Sequence, residues 1–137
     1  MGLILDSSVV ICAERRGDTI PGFLRFVASM IGEERVALSA VGLTELVHSL
    51  YRSQTPAIRK QREDFLAQLL LDLEVVPYTK ETALIAGQID AEQRSRGVTI
   101  PMVDLLIGAT ALEYGYSVAT LNLRHFRSIP GLNVVPL

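Results

Sequence analysis

Residues 2–8 read Gly2-Leu3-Ile4-Leu5-Asp6-Ser7-Ser8. An apolar run ends on a carboxylate, and two hydroxyls follow it at once. Leu3, Ile4 and Leu5 show no polar alternation, so the run predicts a short strand over Gly2–Asp6 that is buried on both faces, as strands of parallel sheets are. Asp6 then stands at the carboxyl end of that strand. Open parallel sheets bind their ligands in the crevice beyond this edge. Two further acids, Glu45 and Asp104, likewise interrupt apolar segments near the starts of predicted helices. The three acids together are a candidate metal site.

Working outward, a helix is expected from Ser7 or Ser8 toward Arg15, with serine as its N-cap. The Gly17-Asp18 turn and Pro21 open a second helix ending near Gly32, whose apolar positions Phe23, Phe26, Val27, Met30 and Ile31 keep helical spacing. Val36–Leu38 reads as a second strand, and Ser39 can cap a helix from Ala40 to about Ser53. Leu43, Leu46, Val47 and Leu50 form that helix's expected core stripe. Pro56 starts a fourth helix that turns apolar through Phe65, Leu66, Leu69 and Leu70. Glu74–Tyr78, with the pair Val75-Val76, is a third strand. Thr79 caps a fifth helix that Gly97 can end in left-handed conformation. Val103–Tyr114 is almost uncharged and predicts a helix buried on most sides, ended by Gly115. Ser117–Thr120 and Asn133–Val135 complete five strands. Strands alternating with helices predict an α/β fold, a three-layer α/β/α sandwich around a mostly parallel, roughly five-stranded sheet.

The composition fits one globular domain over residues 1–137, with 49% apolar and 20% charged residues. There are 13 basic and 15 acidic residues, a formal net charge of −2, which offers no global attraction to nucleic acid. Nearly all the basic residues are arginine, suited to bidentate contact with phosphate or to surface pairing. The only cysteine, Cys12, excludes an internal disulfide and fits a reducing cytoplasm. Asp6 breaks the early apolar run and no basic segment precedes it, so neither a signal peptide nor a membrane span is expected.

Each acid also has a plainer explanation. Asp6 can begin a turn or cap the first helix. Glu45 lies opposite the Leu43–Leu46–Val47–Leu50 stripe, where a solvated glutamate is ordinary. Helical side chains lean toward the amino terminus, however, which points Glu45 back to the strand edge. Asp104, in the first turn of an apolar helix, can simply favour the helix dipole. Yet a carboxylate at the edge of a buried helix costs desolvation unless something compensates, and a cation shared with Asp6 would compensate both. Carboxylates without a Cys/His set favour Mg²⁺, with Mn²⁺ able to substitute, over zinc. His48 and His125 read as ordinary polar residues.

Asp6-Ser7-Ser8, Glu45 and Pro101-Met102-Val103-Asp104-Leu105-Leu106-Ile107-Gly108-Ala109, followed by Ala119-Thr120-Leu121-Asn122-Leu123-Arg124-His125-Phe126, occur in the order found in PIN-domain ribonucleases. From Leu3 to Val135 the chain resembles the VapC-type toxins of toxin–antitoxin pairs. The resemblance implies a metal-dependent endoribonuclease in which Asp6, Glu45 and Asp104 match the acidic cluster. Ser7 and Thr120 match supporting hydroxyl positions. Many relatives carry a fourth acid in the closing block, where this chain has Asn122 and His125. Asn122 can support the cluster by holding a water, and tight binding of a second ion becomes less expected. The resemblance further implies a VapB-type antitoxin partner and a homodimer.

The expected reaction is hydrolysis of an RNA phosphodiester to 5′-phosphate and 3′-hydroxyl ends. Arg15, Arg16, Arg124 and Arg127 flank the expected cleft and are candidate contacts to RNA backbone, or plain surface residues. A catalytically weak binding module acting through its protein partner is the competing reading, with Phe23, Phe26, Leu50 and Tyr51 as apolar candidates. A receiver domain is disfavoured, because no second Asp stands at position 8 and the only lysines are Lys60 and Lys80.

Overall fold

The computed structural model describes residues 2–32 and 34–137. Five strands form one sheet: β1 (Gly2–Leu5), β2 (Arg35–Ser39), β3 (Glu74–Val76), β4 (Ser117–Thr120) and β5 (Val134–Pro136). Its order is β3-β2-β1-β4-β5, and every pairing is parallel. Around it lie α1 (Ser7–Arg15), α2 (Ile20–Ile31), α3 (Ala40–Tyr51), α4 (Pro56–Asp72), α5 (Lys80–Ser95), α6 (Met102–Tyr114) and α7 (Leu123–Arg127). No helix among the described residues is long and apolar enough to cross a membrane.

The period-2 geometry of a strand divides the core into two layers. Leu3 and Leu5 of β1 pack with Val9, Val10 and Ala13 of α1, Phe23 and Val27 of α2, Leu46 of α3 and Leu69 of α4. Ile4, between those two leucines, points the other way and packs with Ile89 of α5, Leu105 and Ile107 of α6 and Phe126 of α7. Helices α1–α4 thus cover one face and α5–α7 the other, the expected three layers. Chain order reverses at β1, with β2 on one side and β4 on the other, so the carboxyl ends of β1 and β4 frame a topological switch point.

Most expected helix ends are confirmed. Ser39 Oγ accepts from Gly42 N at 2.9 Å at the start of α3. Thr79 and Thr82 exchange side-chain and backbone bonds in a capping box that opens α5. Gly97 and Gly115 take positive φ angles, 79° and 70°, just past α5 and α6.

Other expectations need correction. Neither Ser7 nor Ser8 caps α1: Asp6 occupies the N-cap position, and its side chain makes no capping bond. The third strand stops at Val76, short of Tyr78. In α2, Phe23 and Val27 are buried while Phe26 and Met30 are exposed. In α4 only Leu69 is buried, and Leu70 faces solvent. The buried stripe of α3 is Gly42, Leu46 and Leu50, with Leu43 and Val47 only half-buried. This rotation follows from position, because α3 packs against α1 on one side and α6 on the other. Helix α7, within the closing block, was not expected at all. Five residues are too few for a stable isolated helix. Phe126, fully buried in the second core layer, fixes it there.

Candidate active site

Asp6 leaves β1 with its backbone N–H still on Ala119 O of β4 at 2.9 Å, which carries the ladder past the strand end. The residue is only 1% exposed. Its Oδ2 accepts from Ser8 Oγ at 2.7 Å and from Thr120 Oγ1 at 2.8 Å. Both hydroxyls are oriented in turn, because Ser8 Oγ accepts from Leu121 N and Thr120 Oγ1 from Asn122 N. Asp6 Oδ1 is buried and has no partner. A buried carboxylate oxygen without a donor is costly, so the arrangement favours a ligand that supplies positive charge.

Glu45 is brought to the crevice by the rotation of α3. The solvated position read from the helical wheel is corrected: Glu45 is half-buried, and Ser7 Oγ donates to its Oε1 at 2.7 Å. Burial raises its pKa above the ordinary carboxylate range, the Ser7 bond pulls it down, and the charges of Asp6 and Asp104 push it up again. Asp104 is 8% exposed in the first turn of α6. Its Oδ2 lies 2.7 Å from His125 Nδ1. Burial raises the Asp104 pKa, the His125 bond opposes that rise, and the charge of Asp6 adds to it. Glu45 feels the charges of Asp6 and Asp104, and Asp104 that of Asp6, a crowding that none of the separate structural explanations requires.

His48 and His125 had the same plain reading in the sequence, and the structure separates them. His48 is exposed on α3, beside Glu45 in an open cleft of about 530 Å³ that also includes Ser7, Ile11 and Val103. His125 is the partner of Asp104. No local signal in the sequence pairs it with Asp104; the burial of Phe126 next to it fixes α7 and with it His125. Ser8 was likewise missed as a holder of Asp6. Its short hydroxyl two residues after an acid is a familiar local bonding pattern.

Asn122 is exposed, and only its backbone reaches the cluster, through Thr120. Arg124 lines a polar cleft with His125. Arg15 and Arg16 are not brought to the acids: they lie at the far end of α1, ~13 Å along its axis from Asp6. Arg15 lines a separate cleft of about 410 Å³ there, and Arg16 is paired with Asp18 on the surface. Arg127 is exposed on α7.

The donor set suits a hard divalent cation, with one correction to the sequence reading. Among the described residues, no three His, Cys, Asp or Glu side chains converge tightly enough to ligate one ion together. Magnesium takes one or two carboxylates and keeps several waters, so the unpartnered Asp6 Oδ1 with Asp104 or Glu45 acting through water still fits it.

The model for the PIN domain matches residues 3–132. Over its whole length the chain is 31% identical to a ribonuclease VapC of Rickettsia bellii, covering 98% of that protein. It is 30% identical to the tRNA(fMet)-specific endonuclease VapC of Salmonella typhimurium over 76% of each chain. Among solved structures, VapBC2 from Rickettsia felis bound to a promoter DNA fragment matches with a TM-score of 0.87 at 21% identity, covering 100% of this chain and 99% of that one. DNA-bound VapBC from Salmonella typhimurium gives 0.84 at 24% identity, covering 99% and 98%. The acids at the switch point, the parallel sheet that frames them and the match over nearly all its residues agree: the chain belongs to the PIN-domain family.

Proposed function

We propose that this protein is a divalent-metal-dependent endoribonuclease, the toxin of a toxin–antitoxin pair, acting in the cytoplasm on RNA phosphodiesters. The observation that carries the reading is Asp6: buried, held by two oriented hydroxyls on one oxygen, and unpartnered on the other. Its placement at the switch point, beside Glu45 and Asp104, is where a parallel sheet presents a ligand. The ribonuclease names of the relatives support the same activity.

The chemistry supplied by bound Mg²⁺ or Mn²⁺ would be neutralisation of phosphate charge and activation of water. Asp6 would hold the ion through Oδ1, while Ser8 and Thr120 keep the carboxylate from rotating. Asp104 would join it directly or through water, its orientation set by His125. Glu45 has one oxygen on Ser7, which leaves Oε2 to accept a proton from the attacking water. This scheme does not use the RNA 2′-hydroxyl as nucleophile, so the products carry 5′-phosphate and 3′-hydroxyl ends. The partner would be a VapB-type antitoxin, a reading supported by the likeness to VapC relatives and VapBC complexes. The free toxin would be a homodimer.

Incubation of small RNA with Mg²⁺ or Mn²⁺, followed by end mapping, tests the proposal. Wild type should cut, and Asp6→Asn should cut far more slowly. Cyclic phosphate ends would sink the mechanism, and intact RNA under both ions would sink the activity.

A further inference from the structure

Behind the acids, the 97–101 loop, Arg124, His125 and Ser128 enclose a polar cleft of about 490 Å³. The cleft is braced. Gln93, 8% exposed at the end of α5, donates from Nε2 to Ser128 O at 2.8 Å, and its backbone O accepts from Val98 N at 2.8 Å. The loop and the end of α7 are thereby tied to one residue, through its backbone and its side chain. His125 is the wall that this cleft shares with the acids. Its Nδ1 is engaged by Asp104 Oδ2, while its Nε2 bonds no protein group among the described residues and remains open to solvent. Arg124, one residue earlier on α7, is exposed and lines the same cleft.

We propose that this cleft receives the sugar-phosphate of the ribonucleotide next to the scissile bond, with its 2′-hydroxyl on His125 Nε2 and its phosphate on Arg124. The assignment rests on the nuclease reading and adds a residue that selects RNA over DNA. No Phe, Tyr or Trp lines the cleft, so the broad rings of a base-stacking platform are missing. Its polar walls and one guanidinium suit ribose and phosphate instead. The 2′-hydroxyl both donates and accepts, so it can bond Nε2 whichever ring nitrogen carries the proton. The Asp104 bond fixes the ring plane, as a carboxylate partner commonly does for histidine.

The experiment places a single 2′-deoxynucleotide at each position across the mapped cleavage site and compares wild type, His125→Ala and His125→Gln. In wild type, one position should lose roughly tenfold in rate, the worth of one hydrogen bond. The same substitution should cost His125→Ala about twofold or less, since the bond is already gone. His125→Ala also releases Asp104 and cuts all-ribose RNA more slowly, so the coupling and not the bare rate carries the result. His125→Gln, which keeps a polar side chain, gives a second measure of that coupling. Arg124→Ala should weaken RNA and DNA binding by the same factor and keep the 2′ dependence. Equal deoxy penalties in wild type and both His125 variants overturn the assignment while leaving the nuclease reading intact. Failure of wild type to cut any RNA overturns both.

Discussion

The two halves of the crevice hold their carboxylates in different ways. Asp6 is gripped by neutral hydroxyls from Ser8 and Thr120, which bond one oxygen and leave the other bare. Asp104 is gripped by His125, a group that can itself carry positive charge. Hydroxyls orient a carboxylate without neutralising it, so the Asp6 half keeps an unmet need for a cation. An imidazole can meet part of that need through its hydrogen bond, so the Asp104 half depends less on one. Under the proposed function the halves do unequal work: Asp6 would be the fixed anchor, and Asp104 the adjustable partner between the proposed metal site and the proposed nucleotide cleft.

The largest expected effect tests the anchor. Asp6→Asn should lower RNA cleavage by roughly 10²–10³-fold, the scale of several kcal/mol of lost charge stabilisation. It should also abolish the gain in melting temperature that Mn²⁺ gives wild type by mass action. If Asp104→Asn abolished that gain and Asp6→Asn kept it, the two halves would have to exchange roles.

Next is the grip on the anchor. Thr120 is fully buried, and Thr120→Val removes both a donor to Asp6 and the acceptor for Asn122 N. The loss should be about 1–3 kcal/mol in urea unfolding, with Thr120→Ser restoring most of it. A Thr120→Val protein as stable as wild type would mean that the hydroxyl does not orient Asp6.

A smaller effect sharpens the adjustable half. Burial and the neighbouring acids hold Glu45 and Asp104 above the ordinary carboxylate range. The folded state then binds their protons more tightly than the unfolded chain does. The resulting stability is complete below about pH 4 and is lost as pH rises through the raised values. Metal-free melts across that window should show the decline. Glu45→Gln and Asp104→Asn should each flatten it, and at neutral pH each should melt no lower than wild type. Stabilisation by Mg²⁺ should grow with pH over the same window, because ionised carboxylates beside Asp6 attract the ion more strongly. A metal-free protein whose stability rose with pH through this range would contradict the crowding.

How far the sequence reached can be followed in particular residues. The apolar run Leu3-Ile4-Leu5 specified a strand buried on both sides, and the caps Ser39 and Thr79 marked helix starts, because strand burial and capping depend on neighbours in the chain. Asp6 and Asp104 stood out for a similar reason: a charge at the end of an apolar run is a local anomaly. Glu45 shows where the wheel fails. Its helix packs on both α1 and α6, and a helix with two partners buries a face that no single stripe describes. The three-acid expectation changed too, since the acids share a crevice without closing one ligand set.

Other features were decided in three dimensions alone. The pairing of Asp104 with His125 spans 21 residues, and the bond from Thr120 to Asp6 spans 114. Neither leaves a trace in local spacing. Periodicity and capping are written along the chain, so sequence by itself determined the alternating strands and helices and the presence of acids at their ends. Which hydroxyl faces which carboxylate depends on strand order and on where Phe126 is buried. Only the assembled sheet, which sets β1 beside β4, decided that Asp6 keeps one oxygen bare.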